Sequence, residues 1–198
     1  MNTMAGAMIL GVCALGLAAL SSSRAGAEEA KKNPIIVIDT SMGKIKAELW
    51  ADKAPGTVEN FLSYIQKKHY DGLIFHRVID GFMIQGGGFT PDMKQKANDN
   101  PIRNEASADK KNERGTLAMA RTSDLHSATS QFFINLKDNG FLDHRDASNA
   151  GFGYCAFGKV TEGMDVVDKI AKVRTGNKGG HGDVPNEPVV INSITVEK

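Results

Sequence analysis

Apolar residues along this chain follow two different periods, and the switches between them predict its elements. Ile35, Ile36, Val37 and Ile38 form a β-branched run, Thr40 to Gly43 are turn formers, and Ile45, Ala47 and Leu49 alternate with Lys44, Lys46 and Glu48. This predicts a hairpin from Asn33 to Leu49. The period then changes: Val58, Phe61, Leu62 and Ile65 fall at i, i+3, i+4 and i+7, a helix stripe that starts just after Pro55 and Thr57 and is ended by Asp71-Gly72. Leu73 to Val78 and Phe82 to Gly86 read as two strands around the turn Ile79-Asp80-Gly81. Further strands are predicted at Thr116 to Ala120, Gln131 to Asn135, Ala156 to Val160 and Val189 to Val196, with a second helix stripe at Val166, Val167, Ile170 and Val173. Eight short strands with two helices predict a mainly β fold, a closed eight-stranded antiparallel barrel with two capping α-helices, rather than any βαβ arrangement. Gly87 to Glu113 is polar with no sustained period, and a loop of that length in a compact domain is usually functional.

The first 27 residues belong to a different pattern. An apolar run from Ala5 to Leu20 leads into three serines, Arg24 and then Ala25-Gly26-Ala27. Small residues at Ala25 and Ala27 suit a signal peptidase, so residues 1–27 are expected to be an export signal cut before Glu28, with residues 28–198 as one domain. The run carries no Lys or Arg ahead of it, and the competing reading is an uncleaved anchor. Sixteen apolar residues fall short of the ~20 that span a bilayer.

Composition narrows the classes. Gly numbers 21 and Pro only 6, which suits tight turns between strands. Arg24 is the one charged residue of the signal, so the remaining chain carries 23 basic and 23 acidic side chains. A net charge of zero gives no reason to expect nucleic acid or an anionic membrane as partner. Cys155 is the one cysteine beyond the signal, which rules out an intramolecular disulfide there.

Several motifs that could carry chemistry fail on context. Gly86-Gly87-Gly88 is followed by no helix and no Gly-Lys-Ser/Thr, and Ser130 lacks the glycines of a nucleophile elbow. His69, His76, His126, His144 and His181 show no metal-ligand spacing, so no metal is expected. Cys155, at the head of an apolar strand, reads as an inert buried thiol. What remains is polar residues inside apolar strands: Arg77 in Phe75-His76-Arg77-Val78-Ile79, Gln85 in Phe82-Met83-Ile84-Gln85, and the ends of Gln131-Phe132-Phe133-Ile134-Asn135. Periodicity alone leaves open whether these are a site or the solvent side of half-buried strands.

The whole run Phe75-His76-Arg77-Val78-Ile79-Asp80-Gly81-Phe82-Met83-Ile84-Gln85-Gly86-Gly87 resembles the signature of the cyclophilins. The likeness continues through Gly115 to Arg121, Ser130 to Ile134, Phe141-Leu142-Asp143 and Phe157 to Val160, in family order, and its details are similar to periplasmic cyclophilins of Gram-negative bacteria. The resemblance implies a peptidyl-prolyl cis–trans isomerase that acts on proline-containing polypeptides in the periplasm, as a monomer, without cofactor and without membrane association once the signal is cut. It assigns the catalytic arginine to Arg77. The proline pocket would be walled by Phe82, Met83, Phe133 and Leu142, with Gln85 as a hydrogen-bonding side chain beside it. Ala120, Arg121 and Gln131 fall where the family lines the groove for residues preceding proline. Phe141 stands where eukaryotic members have tryptophan and Tyr154 where they have histidine. The competing expectation is a proline-binding chaperone on the same fold without turnover.

Overall fold

The computed structural model describes residues 33–197; the expected export signal, residues 1–27, lies outside them. The first hairpin pairs β1 (Ile35–Thr40) with β2 (Gly43–Leu49), Ile36 facing Ala47 and Ile38 facing Ile45 across the ladder. Helix α1 (Pro55–Gln66) starts with Pro55, whose fixed φ and missing N–H suit a first helical turn. Its Val58, Phe61 and Ile65 are buried as the stripe predicts, joined by Thr57 and Tyr64, while Leu62 packs at the core's margin.

The following strands are β3 (Ile74–Ile79), β4 (Met83–Phe89), β5 (Thr116–Met119), β6 (Phe132–Asn135) and β7 (Ala156–Glu162). Helix α2 (Met164–Ala171) buries Val166, Val167 and Ile170, and stops before Val173. Two short strands, β8 (Thr175–Lys178) and β9 (His181–Pro185), precede the last one, β10 (Ile191–Val196). The main sheet runs β10-β1-β2-β7-β5-β6-β4-β3, and every pairing in it is antiparallel. It curls until its ends meet along a short seam, where Gly72 N–H donates to Ile191 O, Ile191 N–H to Leu73 O and Phe75 N–H to Val189 O. The fold is therefore the expected eight-stranded β barrel with two helices, its seam held by three bonds rather than a full ladder.

Inside the barrel the Phe61 ring meets Tyr70, Phe132 and Phe157 at 5.1–5.3 Å between centroids, all four fully buried. Such aromatic groups supply much of the buried area that stabilises a domain of this size. The glycine run after Gln85 is explained here. Gly87 sits at φ +84 in β4, and a Cβ there would lie 2.9 Å from the Tyr70 ring.

Two features differ from the pattern-based reading. The β8–β9 hairpin was not expected, because Thr175 to Pro185 is polar and glycine-rich with no alternation. It forms a separate two-stranded sheet laid against β3. The long segment after Phe89 is irregular but pinned: Phe89 bridges Gln95, Ile102 bridges Ala128, and Asn104, Lys110 and Asn112 are buried with hydrogen bonds to distant carbonyls.

Candidate active site

The barrel register explains why polar residues interrupt apolar strands. Arg77 on β3 stands opposite Gln85 on β4, Gln85 opposite Phe133 on β6, and Phe133 opposite Ala118 on β5. Opposed residues in antiparallel strands share a face, so these four form one row across the outer face of the barrel. Their neighbours Ile84, Phe132, Ile134 and Leu117 point the other way, into the main core. On the outer face a second apolar cluster gathers Met83, Ala118, Phe133, Leu142 and Ala156, with Phe82, Ala120 and Tyr154 packed on it.

That cluster is hollow. A cavity of about 120 Å³ is lined by Arg77, Phe82, Met83, Gln85, Ala120, Arg121, Phe133, Leu142 and Tyr154. The structure thus brings nine of the expected residues around one space from five separate parts of the chain. Met83 and Phe133 form a buried floor, and Leu142, from the 3₁₀ turn Gly140–Leu142, closes one side. Phe133 and Tyr154 meet edge to face at 5.8 Å. The other two expected residues border the cavity. Phe141 is 63% exposed at the rim and stacks on Phe82 at 5.6 Å, and Gln131 accepts a 3.0 Å hydrogen bond from Gln85 Nε2. A wider open groove of about 710 Å³ runs along α1 past Pro34, Pro55, Val58 and Leu62, but among the described residues Glu59 is its one ionisable side chain.

The charges at the cavity are fixed in different ways. Arg121 donates from Nε to Gly153 O at 3.2 Å and from Nη1 to Thr122 O at 2.9 Å, and its guanidinium lies 4.7 Å above the Tyr154 ring. Arg77 is half-exposed, and its ion pair is with Asp183 of β9, Nε to Oδ2 at 3.8 Å. Gln85, expected as a hydrogen-bonding side chain beside the pocket, donates from Nε2 to Gln131 Oε1 at 3.0 Å. Behind Arg77, burial pushes the His76 imidazole down to about 4, with His181 and Arg77 adding repulsion, so this ring is neutral near pH 7. Cys155 is buried, and that burial pushes its thiol up to about 11, consistent with an inert thiol.

Sequence reasoning missed the buried asparagines that hold the cavity's walls. Asn139 Nδ2 donates to Phe82 O at 2.9 Å and to Asn135 Oδ1 at 2.8 Å. Asn112 Nδ2 reaches Leu142 O at 3.1 Å and Tyr154 O at 3.2 Å, and Asn104 Nδ2 reaches Gly153 O at 3.0 Å. These side chains replace a ladder where the backbone has none. Asn135, at the end of Gln131-Phe132-Phe133-Ile134-Asn135, was visible as a polar residue in an apolar strand, though not in this role; nothing local marks Asn104 or Asn112.

Comparison with known proteins places this arrangement. The family model described as cyclophilin type peptidyl-prolyl cis-trans isomerase/CLD matches residues 35–196. A peptidyl-prolyl cis-trans isomerase of Streptomyces antibioticus is 58% identical over 161 residues, covering 81% of this chain and 97% of that protein. Peptidyl-prolyl cis-trans isomerase B of Escherichia coli strain K12 is 57% identical over 164 residues, covering 83% of this chain and 100% of that protein. Among solved structures, a cyclophilin type peptidyl-prolyl cis-trans isomerase of Cryptosporidium parvum, crystallised in the presence of the dipeptide Ala-Pro, superposes with TM-score 0.71 at 26% identity. That superposition covers 83% of this chain and 99% of the other. With the family match running from the first strand to the last and relatives above half identity over nearly their whole length, this chain belongs to the cyclophilin-type peptidyl-prolyl cis–trans isomerases.

Proposed function

We propose that the chain accelerates rotation about X–Pro bonds of exported polypeptides, with the cavity beside Arg77 gripping the proline ring and Arg77 stabilising the twisted bond. The observation that carries this reading is the row Arg77–Gln85–Phe133, which sets one permanently charged donor at the edge of an apolar space the size of a small ring. The Ala-Pro dipeptide used with the Cryptosporidium relative supports proline as the occupant.

The chemistry asks for little more. Resonance in the X–Pro amide sets a barrier of ~18–20 kcal/mol, and uncatalysed exchange takes tens to hundreds of seconds. Reaching about a millisecond needs ~10⁴–10⁵-fold, or roughly 6–7 kcal/mol. As the bond twists, the prolyl nitrogen becomes pyramidal and regains its lone pair, so a donor aimed at it acts on the transition state and not on the planar ground state. A preorganised donor contributes ~2.7–4 kcal/mol. Arg77 therefore supplies about half of the effect. The remainder comes from Phe82, Met83, Phe133 and Leu142, which hold the ring while the preceding carbonyl swings and which keep water away from the guanidinium. An NMR exchange assay on an X–Pro peptide with purified residues 28–198 tests the reading directly. Binding of the peptide with no gain in exchange rate would leave a proline-binding chaperone in its place.

Export follows from residues 1–27. The mature protein is expected to begin at Glu28 and to be found free in the periplasm. N-terminal sequencing of the exported material checks this, and a full-length species retained in membranes would overturn it.

Phe141 sets the expected response to cyclosporin, the cyclic-peptide inhibitor of this family. Tryptophan-bearing members bind the drug partly through an indole N–H. Phe141 fills comparable space on Phe82 but offers no polar hydrogen. A carbonyl left unpaired against the ring forfeits ~1–3 kcal/mol, about one to two decades of affinity. Weak inhibition is expected for this protein, and tighter inhibition with little change in turnover for Phe141→Trp. Titrating the drug against both proteins in one exchange assay is the check, and equal inhibition would remove Phe141 from this part.

A further inference from the structure

We propose that Asp183 is a positioning residue for Arg77: the β8–β9 hairpin carries its carboxylate to the back of the guanidinium and keeps the fork turned toward the proline cavity. This rests on Arg77 acting as the donor proposed above. The hairpin is anchored where it needs to be. Val184 is buried, and the Phe89 ring at the end of β4 is held between His76 at 4.6 Å and His181 at 5.0 Å. Asp183 follows His181 by two residues and adopts φ +58, the left-handed region that Asp and Asn tolerate better than other side chains. A non-glycine residue there, between Gly182 and Val184, points to a side chain with a task.

The geometry of the contact suits that task. Asp183 Oδ2 approaches Nε of Arg77 at 3.8 Å, which leaves both terminal nitrogens free for substrate. Among the described residues no other acid lines the groove of about 590 Å³ that this hairpin forms beside the proline cavity. Of the other polar side chains in this groove, Gln85 donates to Gln131 and Arg121 to backbone carbonyls, and neither His76 nor His181 carries a negative charge to orient the guanidinium. Without Asp183 the long Arg77 side chain would sample many rotamers, and each turnover would require its capture in one of them. The carboxylate also offsets part of the guanidinium charge. Between two half-exposed groups in high dielectric this offset is small, so orientation dominates.

Asp183→Asn is the test, because Asn keeps the shape and the tolerance for positive φ while removing the charge. The expected result is kcat lower by about three- to fivefold, in the range of one exposed ion pair, with KM and the unfolding midpoint unchanged. The Arg77 Nε–H signal in ¹⁵N spectra is expected to shift and broaden. In an Arg77→Lys background, which has no Nε, Asp183→Asn should change nothing. Wild-type kcat in Asp183→Asn, or the same drop in the Arg77→Lys background, overturns the proposal. Should Arg77→Ala itself turn over normally, the underlying reading of Arg77 fails. Should Arg77→Ala be inert while Asp183→Asn is normal, only the role of Asp183 falls.

Discussion

Replacing Arg77 with alanine is expected to lower kcat/KM by about 10²–10³-fold, the cost of one preorganised transition-state donor, while leaving the fold in place. The side chain sits on the outer face of the barrel, half-exposed, and its ion pair with Asp183 is of a kind that contributes little to stability. Its backbone ladder to Gln85 does not depend on the side chain. Arg77→Lys should recover little activity, because a compact ammonium on a flexible stem does not reproduce the planar fork. The measurement is exchange of an X–Pro peptide by wild type and both variants, with circular dichroism and thermal unfolding run beside it. Near-normal turnover in a folded Arg77→Ala protein would sink the mechanism.

The second large effect is expected at a glycine. Gly153 lies between the two cavity walls Leu142 and Tyr154 at φ +75, and a Cβ there would stand 2.5 Å from Leu142 O and 2.6 Å from the carbonyl carbon of Asp143. Both obstacles are backbone, so no rotamer change relieves them. The left-handed conformation costs a side chain ~1–2 kcal/mol, and forced displacement of packed neighbours adds ~1–3 kcal/mol. Gly153→Ala should therefore lose ~2–5 kcal/mol of a stability that is typically ~5–15 kcal/mol. The damage should also reach the site. Gly153 O accepts from Asn104 and Arg121, and Tyr154 N–H donates to Leu142 O at 2.9 Å, so relief of the clash moves a cavity wall and an arginine together. A lowered urea midpoint with reduced kcat/KM in the fraction that stays folded is expected. A wild-type midpoint would show that the turn yields more easily than this geometry allows.

The strands and helices were legible because their signals are local. Ile35 to Ile38 is a β-branched run, Ile45 to Leu49 alternates, Val58 to Ile65 repeats at helical spacing, and each pattern survives whatever the strand later pairs with. Arg77 and Gln85 were legible as polar interruptions in apolar strands, yet periodicity gave no means to decide between a site and a wet face. Only the family likeness named their roles, and only the cross-strand register put Arg77, Gln85 and Phe133 in one row.

The β8–β9 hairpin shows the opposite case. Thr175 to Pro185 carries four glycines and no apolar alternation, so no face of it announces a partner. It is held by Phe89 and the buried Val184, contacts made across more than eighty residues of chain for Phe89 and His181. The buried asparagines at 104, 112, 135 and 139 are alike in this, since each donates to an acceptor distant in sequence, a carbonyl for three of them and the Thr116 hydroxyl for Asn135.

By itself, then, the amino-acid order determined which segments extend or coil, which face of each is apolar, and where the turns must fall, because these depend on neighbours two to four residues away. The tertiary structure alone decided that the floor, the rim and the charged donor meet around one cavity, that Gln85 faces Gln131, and that a carboxylate from β9 reaches Arg77. Those outcomes depend on register between strands and on loops that close across the barrel. A one-residue slip in either would turn every side chain to the other face without changing a single local preference.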